Sequence, residues 1–265
     1  MVWINGERQD KLAVSDRAVQ FGDGCFTTAR VRAGKVDWLP DHLLRLQQGA
    51  SRLLMDGVDW SALEAEMIYA AQQQQDGVLK AVITRGSGGR GYSAAGCQQP
   101  TRIVSLSDYP AHYHRLRASG ARLALSPVRL GQNPLLAGIK HLNRLEQVLI
   151  RTQLEQTGAD EALVLDTAGR LVECCAANLF WREGQQVFTP LLTQSGVNGT
   201  MRQRIIMLLE QQGIHWQEVS VEMSALAQAD EVLICNALMP ILPVYQIEEW
   251  RYSSRLLFDL VSPHC

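Results

Sequence analysis

Apolar and polar residues recur along the chain with enough regularity to place its main elements. Trp3-Ile4 precedes Asn5-Gly6, a dipeptide that supplies positive φ at both centres of a tight turn, and the strand-like residues after Glu7 complete a hairpin. After Pro40, the apolar residues Leu43, Leu44, Leu46, Ala50, Leu53 and Leu54 fall at helical spacing and Gly57 provides a stop, which predicts a helix of about three turns. Val78 to Thr84 alternates, is rich in β-branched residues and runs into the glycines of 86–91, so a strand feeds a flexible loop.

Periodicity fades between 110 and 120, around Pro110, His112, His114 and Gly120, and this places a boundary: a smaller lobe over 1–112, a linker over 113–120 and a larger lobe over 121–265. Ala121 to Leu130 resumes as a strand. Leu142, Leu145, Val148, Leu149 and Leu154 then define one face of a helix that ends near Gly158. Glu161 to Asp166 and Leu171 to Cys174 form a hairpin about a Thr-Ala-Gly turn. Further strands are predicted at Asn178 to Arg182 and Glu231 to Asn236, with a helix from Thr200 to Gln212 stopped by Gly213. The pattern contains no internal repeat, and the fold class it predicts is α+β in two lobes.

Composition narrows the function classes. At 46% hydrophobic and 20% charged residues, the 265-residue chain has the make-up of a folded globular protein rather than a disordered or fibrous one. A net charge of −2 provides no general field for nucleic acid or an anionic membrane, so an anionic ligand must be bound locally. The six cysteines, Cys25, Cys97, Cys174, Cys175, Cys235 and Cys265, show neither CxxC pairs nor a disulfide rhythm, which fits reduced thiols and a cytoplasmic location, with no metal site expected. Charges and a turn signal interrupt the first eight residues where a secretory leader needs an apolar run, and nowhere do about 18 apolar residues come one after another.

Several motifs have a plain reading that wins. Gly86 to Gly91 matches G-x-G-x-x-G after a strand, yet Gly96 and Pro100 break the helix that a dinucleotide-binding turn requires at once. His112 and His114 lack a third ligand at recognisable spacing and read as surface histidines. What remains is Lys140 after the apolar Leu135 to Ile139, the carboxylate Glu173 on a strand, and Val197-Asn198-Gly199 opening a helix. Singly each is ordinary. Together they supply a lysine in a partly desolvated site, a carboxylate to keep a pyridinium protonated and helix amides for a phosphate, a combination that suggests pyridoxal 5'-phosphate (PLP).

Three segments carry a resemblance: Ala13 to Arg30 (AVSDRAVQFGDGCFTTAR), Gly138 to Leu149 (GIKHLNRLEQVL) and Glu173 to Phe180 (ECCAANLF). They resemble the aminodeoxychorismate lyase family, one of the fold-type IV PLP enzymes together with the branched-chain and D-amino-acid transaminases. The resemblance runs nearly end to end. It implies a two-lobed α+β fold with PLP in the interlobe cleft, a homodimer, and conversion of 4-amino-4-deoxychorismate to 4-aminobenzoate and pyruvate. It also implies that Lys140 carries the cofactor and Glu173 faces the pyridinium nitrogen. The phosphate falls to Arg45, to the amides of Val197 and Asn198, and to Asn236 and Ala237. Thr200 departs from the aliphatic residue usual after Gly199. Arg30, Arg90, Tyr92 and Tyr109 are the candidates for substrate carboxylates. The alternative is a transaminase of D-amino or branched-chain amino acids, and the run after Lys140 resembles the lyase.

Overall fold

A computed structural model describes residues 1–264, apart from the side chain of His114. Cys265 and the His114 imidazole therefore lie outside the described residues. The chain forms two compact units, the first built from Met1–Pro110 with Ile139–Asn143 and the second from Ala111–Gly138 with Arg144–Cys265.

In the first unit, six strands, β1 (Val2–Ile4), β2 (Glu7–Arg8), β3 (Gly24–Arg32), β4 (Lys35–Val36), β5 (Asp76–Thr84) and β6 (Thr101–Ser107), make an antiparallel sheet ordered β2-β1-β6-β5-β3-β4. The opening hairpin turns at Asn5 and Gly6 with φ of 50° and 84°, as the Asn-Gly signal predicts. Helices α1 (Arg17–Phe21), α2 (Leu39–Arg52) and α3 (Trp60–Gln72) complete the unit. Alternation along β3 and β5 sends Cys25, Val31, Leu79, Ala81 and Ile83 into a core with Leu46 of α2 and Leu63 and Met67 of α3. Phe26, Thr28 and Arg30 take the opposite face. Helix α3 is not evident from apolar spacing: half of its buried positions are the small residues Ala70 and Ala71, and its clearest signal is Asp59, which caps the helix by accepting the Ala62 amide at 2.9 Å.

No helix separates β5 from β6, consistent with the rejection of a dinucleotide turn. The glycine loop is nonetheless anchored. Buried Arg17 donates to the carbonyls of Gly91, Tyr92 and Ser93 at 3.0, 3.2 and 3.2 Å, and to Asp23 at 2.8 Å.

The second unit opens with α4 (His112–Ser119), so the segment expected as a linker over 113–120 is a helix that belongs to this unit. The strands are β7 (Ala121–Leu125), β8 (Glu161–Leu165), β9 (Leu171–Cys174), β10 (Asn178–Glu183), β11 (Gln186–Pro190), β12 (Trp216–Val219), β13 (Glu231–Cys235), β14 (Leu242–Ile247) and β15 (Trp250–Arg251). They form a sheet ordered β12-β11-β10-β13-β14-β7-β8-β9 with β15 on β14. The pairs β7–β8, β7–β14 and β11–β12 are parallel. Helices α5 (Leu145–Leu154), α6 (Thr200–Gln211) and α7 (Leu256–Val261) belong to the same unit. No helix among the described residues is long and apolar enough to cross a membrane.

Of the residues read as one helical face, Leu145, Val148 and Leu149 are 78, 57 and 56% exposed in the single chain, and Leu154, from the same set, is buried with Ile150. Lys140, expected on the second lobe, groups with the first unit, because residues 140–142 bond to the edge of β3.

Glu161 is a buried carboxylate that accepts the amides of Ala162 at 2.8 Å and Ala176 at 3.2 Å. Burial, opposed by these bonds, pushes its pKa up from 4.5 to about 7. The folded chain thus holds an extra proton between these values. The resulting stability is complete at low pH and is lost as pH rises through 7, by on the order of 3 kcal/mol. Glu161→Gln should remove that slope, so denaturant titrations should show the variant gaining on the native chain by about this amount from pH 4.5 to 8. A pH-independent difference would contradict the assignment.

Candidate active site

Lys140 is placed by backbone pairing within the first unit. The Phe26 amide donates to the Lys140 carbonyl at 2.9 Å, the Leu142 amide donates to Gly24 at 3.0 Å, and Cys25 bridges His141 in antiparallel register. Phe26 and Lys140 are therefore opposite one another. Their side chains emerge on the same, non-core face, and the Lys140 Nζ lies 4.8 Å from the centre of the Phe26 ring. Ile139, one residue earlier, is buried in the core on the other side. The side chain of Lys140 is half-buried, as a lysine of altered chemistry requires.

Arg45 belongs to the same unit, on α2. Its positive charge acts on both Cys25 and His42. Burial pushes the Cys25 thiol up to about 12, and Arg45 opposes that rise. Burial and then Arg45 push His42 down to about 3, so His42 is neutral at physiological pH. Its Nδ1 sits 2.6 Å from the Thr27 hydroxyl. Periodicity gives no signal for His42, which lies three residues before Arg45.

In the second unit, Glu173 and the turn before α6 form one constellation. Glu173 is 5% exposed, and its Oε2 accepts the Val197 amide at 2.8 Å. The charge of Glu173, with that of Glu146, counters the effect of burial on Arg144, whose pKa burial lowers. Gly196 has φ of 85°, and a Cβ there would meet Val172 Cγ1 at 2.6 Å and Glu173 Oε2 at 3.4 Å, so the approach of this turn to the carboxylate needs glycine. Gly138 is tied to the same turn, donating to Gly196 at 2.9 Å and accepting from the Asn198 amide at 3.1 Å. Two residues further along the chain is Lys140.

Val197 and Asn198 are the residues whose amides the sequence offers to a phosphate. Both amides already donate, to Glu173 and to Gly138. The cap of α6 is Gly199, whose own amide donates to Asn178 Oδ1 at 3.1 Å, and the first bond of the helix runs from Gln203 to the Gly199 carbonyl. Among the described residues, the amides of Thr200, Met201 and Arg202 at the start of the helix have no acceptor. Thr200 is 3% exposed and its hydroxyl has no hydrogen-bond partner among the described residues. A buried, unmatched hydroxyl beside free amides at a helix start, where helical side chains tilt toward that end, is the donor set an anionic phosphate satisfies.

The other candidates separate. Asn236 spends its side chain on its own turn, accepting the amides of Leu238 and Met239 at 2.8 Å each and donating to Ala176 at 2.9 Å, while the Ala237 amide donates to none of the described residues. Arg30 pairs with Asp76 and stacks on Tyr109, so these two expected substrate residues do come together. Arg90 and Tyr92 lie on the glycine loop, Tyr92 89% exposed with its ring 5.4 Å from that of Phe21.

Comparison with known proteins gives a consistent picture. The chain is 36% identical to the aminodeoxychorismate lyase of Vibrio harveyi over 92% of its length and 90% of the relative's. Its structure superposes on the crystal structure of 4-amino-4-deoxychorismate lyase from Pseudomonas aeruginosa with a TM-score of 0.95 and 39% identity, covering 99% of this chain and 97% of that one. A hypothetical aminotransferase from Mycobacterium tuberculosis in its PLP-bound form shares the fold at a TM-score of 0.86 and 20% identity, covering 99 and 97% of the two chains. The fold is that of the fold-type IV enzymes. The model of the amino-transferase class IV family matches residues 24–247, and the chain belongs to that family.

Proposed function

We propose that this chain is a PLP-dependent lyase that converts 4-amino-4-deoxychorismate to 4-aminobenzoate and pyruvate. The observation that carries the reading is the near full-length likeness to two lyases of this name.

The residues fit the cofactor. Lys140 is the attachment point. Glu173, whose carboxylate accepts the Val197 amide and shares the field of Arg144, keeps a proton on the pyridine nitrogen. The Thr200 and Met201 amides and the Thr200 hydroxyl take the phosphate, with Arg45 as a cation for it and the Ala237 amide as a further donor. When bound, PLP supplies a sink for the electron pair left on carbon when a proton is removed.

With PLP in place, the Lys140 Nζ, steadied over Phe26, would take the proton from C4 of the substrate. Loss of the enolpyruvyl group from C3 then makes the ring aromatic, which drives the step. Nζ returns its proton to the departing enol carbon, giving pyruvate. The Lys140 Nζ thus serves first as base and then as acid.

The same reading includes a homodimer and a cytoplasmic location. Leu145, Val148 and Leu149 lie at i, i+3 and i+4 on α5 and present an exposed apolar face that a second copy would cover. The five described cysteines are free thiols, which suits a reducing compartment.

Lys140→Ala should abolish the visible absorbance of the attached cofactor and cut pyruvate release by a factor on the order of 10²–10⁴ or more, whereas Glu173→Ala should stay yellow and lose turnover. Native rates in either variant would refute its role. Thr200→Val should weaken PLP binding to the apo-protein roughly tenfold, as loss of one hydrogen bond to a charged group does, with Thr200→Ser restoring it. Equal affinities across the three proteins would remove the hydroxyl from the cradle. Replacing Leu145 and Leu149 together by glutamate should shift the mass measured by light scattering from dimer to monomer, and a native chain that is already monomeric would exclude the dimer.

A further inference from the structure

The first unit's sheet has a second face, opposite its core, and its composition is specific. Register across β3, β5 and β6 places Phe26, Val82 and Ile103 in one row and Thr28, Lys80 and Ser105 in the next. Lys140 continues the first row on the outer side of Phe26, by the antiparallel bridge of Cys25 with His141. The face therefore carries two lysines on either strand neighbour of Phe26. Each Nζ lies 4.8 Å from the centre of that one ring, which bounds their separation at twice this distance.

The second lysine has no structural task. Lys80 is exposed, and among the described residues its ammonium has neither an ion pair nor a hydrogen-bond partner, only the Phe26 ring. Arg30, the other cation of this face, is already engaged by Asp76 and Tyr109. The hydroxyl residues Thr28 and Ser105 flank Lys80 in its own row. The Ser105 hydroxyl donates to the Lys80 carbonyl at 3.5 Å, and an unpaired ammonium beside the row neighbour Thr28, on the sheet face where Lys140 emerges, is a carboxylate-binding arrangement.

We infer that Lys80 binds a carboxylate of the substrate and sets the enzyme's preference for a ring that carries an anionic group away from its amine. The inference rests on the lyase reading, in which the substrate amine goes to the Lys140 end. A six-membered ring with its amine directed to Lys140 would carry a carboxylate on its far side toward Lys80, the two ammonium groups being held to one ring within the limit set by their distances to it. Phe26 lies under that span and offers the ring an apolar contact. Lys80 is a specificity-determining residue here, with no proton to move. The period-2 alternation of Val78, Lys80 and Val82 contains the signal, since it puts Lys80 on the non-core face.

The test compares the holoenzyme with Lys80→Met, which keeps the stem over Phe26 and removes the charge, and with Lys80→Arg. Lys80→Met should raise KM for 4-amino-4-deoxychorismate at least roughly tenfold, the loss expected for one charge-assisted bond, with kcat little changed, and Lys80→Arg should recover most of it. An independent readout uses the ring dicarboxylate isophthalate and the monocarboxylate benzoate, detected by their effect on the cofactor absorbance. The native enzyme should bind isophthalate more tightly, and Lys80→Met should lose that preference. If the native enzyme does not act on 4-amino-4-deoxychorismate, the lyase reading fails while the two carboxylates still report on Lys80. Unchanged KM and an unchanged preference for isophthalate in Lys80→Met would overturn the inference alone.

Discussion

The placement of one side chain, Lys140, depends on a few backbone hydrogen bonds. Phe26 to Lys140 and Leu142 to Gly24 extend the edge of β3 beyond the point where β4 pairs with it, and the two-residue period of that pairing decides which face the lysine takes. A slip of one residue would send Lys140 into the core and His141 out. Ile139 prevents the slip, because its own burial in the core is lost by the same shift. Hydrophobic burial at 139 and reactive chemistry at 140 are thus two consequences of one register.

The turn at 196–200 works by a different constraint, the approach of backbone to polar side chains. Gly199 lies so near Asn178 that a Cβ would meet Asn178 Oδ1 at 2.1 Å, and that oxygen takes the Gly199 amide. Asn178 also donates to the Val197 carbonyl at 2.8 Å, so one buried amide side chain fixes the turn from both sides. With Glu173 and Gly138 occupying the next two amides, the turn has a single set of donors left, at the start of α6. Arg202 strengthens the start of the helix from within, donating to Asn198 Oδ1 at 3.0 Å and to the Pro190 carbonyl at 3.0 Å. The chemistry available at this end is therefore set by which amides are already spent.

Much of this is legible in the sequence, and the failures have physical causes. Strands β5, β8, β9, β10 and β13 and helices α2 and α6 can be read from alternation, helical spacing and glycine stops, and the Asn-Gly pair marks the opening hairpin. Lys140 and Glu173 stand out by residue type within apolar surroundings. The bonds that the Val197 and Asn198 amides make within the chain are not legible, because a residue string does not say which donors other groups consume. The exposed face of α5 reads as buried because hydrophobic spacing gives a helix's apolar side without saying whether the same chain covers it. Helix α4 reads as a linker because His112 to Ser119 is too polar to show a period, with Leu116 its one fully buried hydrophobic side chain. Lys80 does not stand out, since one lysine on a strand usually means a solvated face, and only the register with Phe26 gives it a neighbour.

The lyase account is tested most directly by product balance. Purified protein saturated with PLP is given 4-amino-4-deoxychorismate with no keto acid present, and pyruvate and 4-aminobenzoate are measured together over many turnovers. The account predicts the two products in equal amounts, with the cofactor absorbance unchanged at the end. A reaction that stops after one turnover and resumes only when a 2-keto acid is added would identify an amino-group transfer and contradict it.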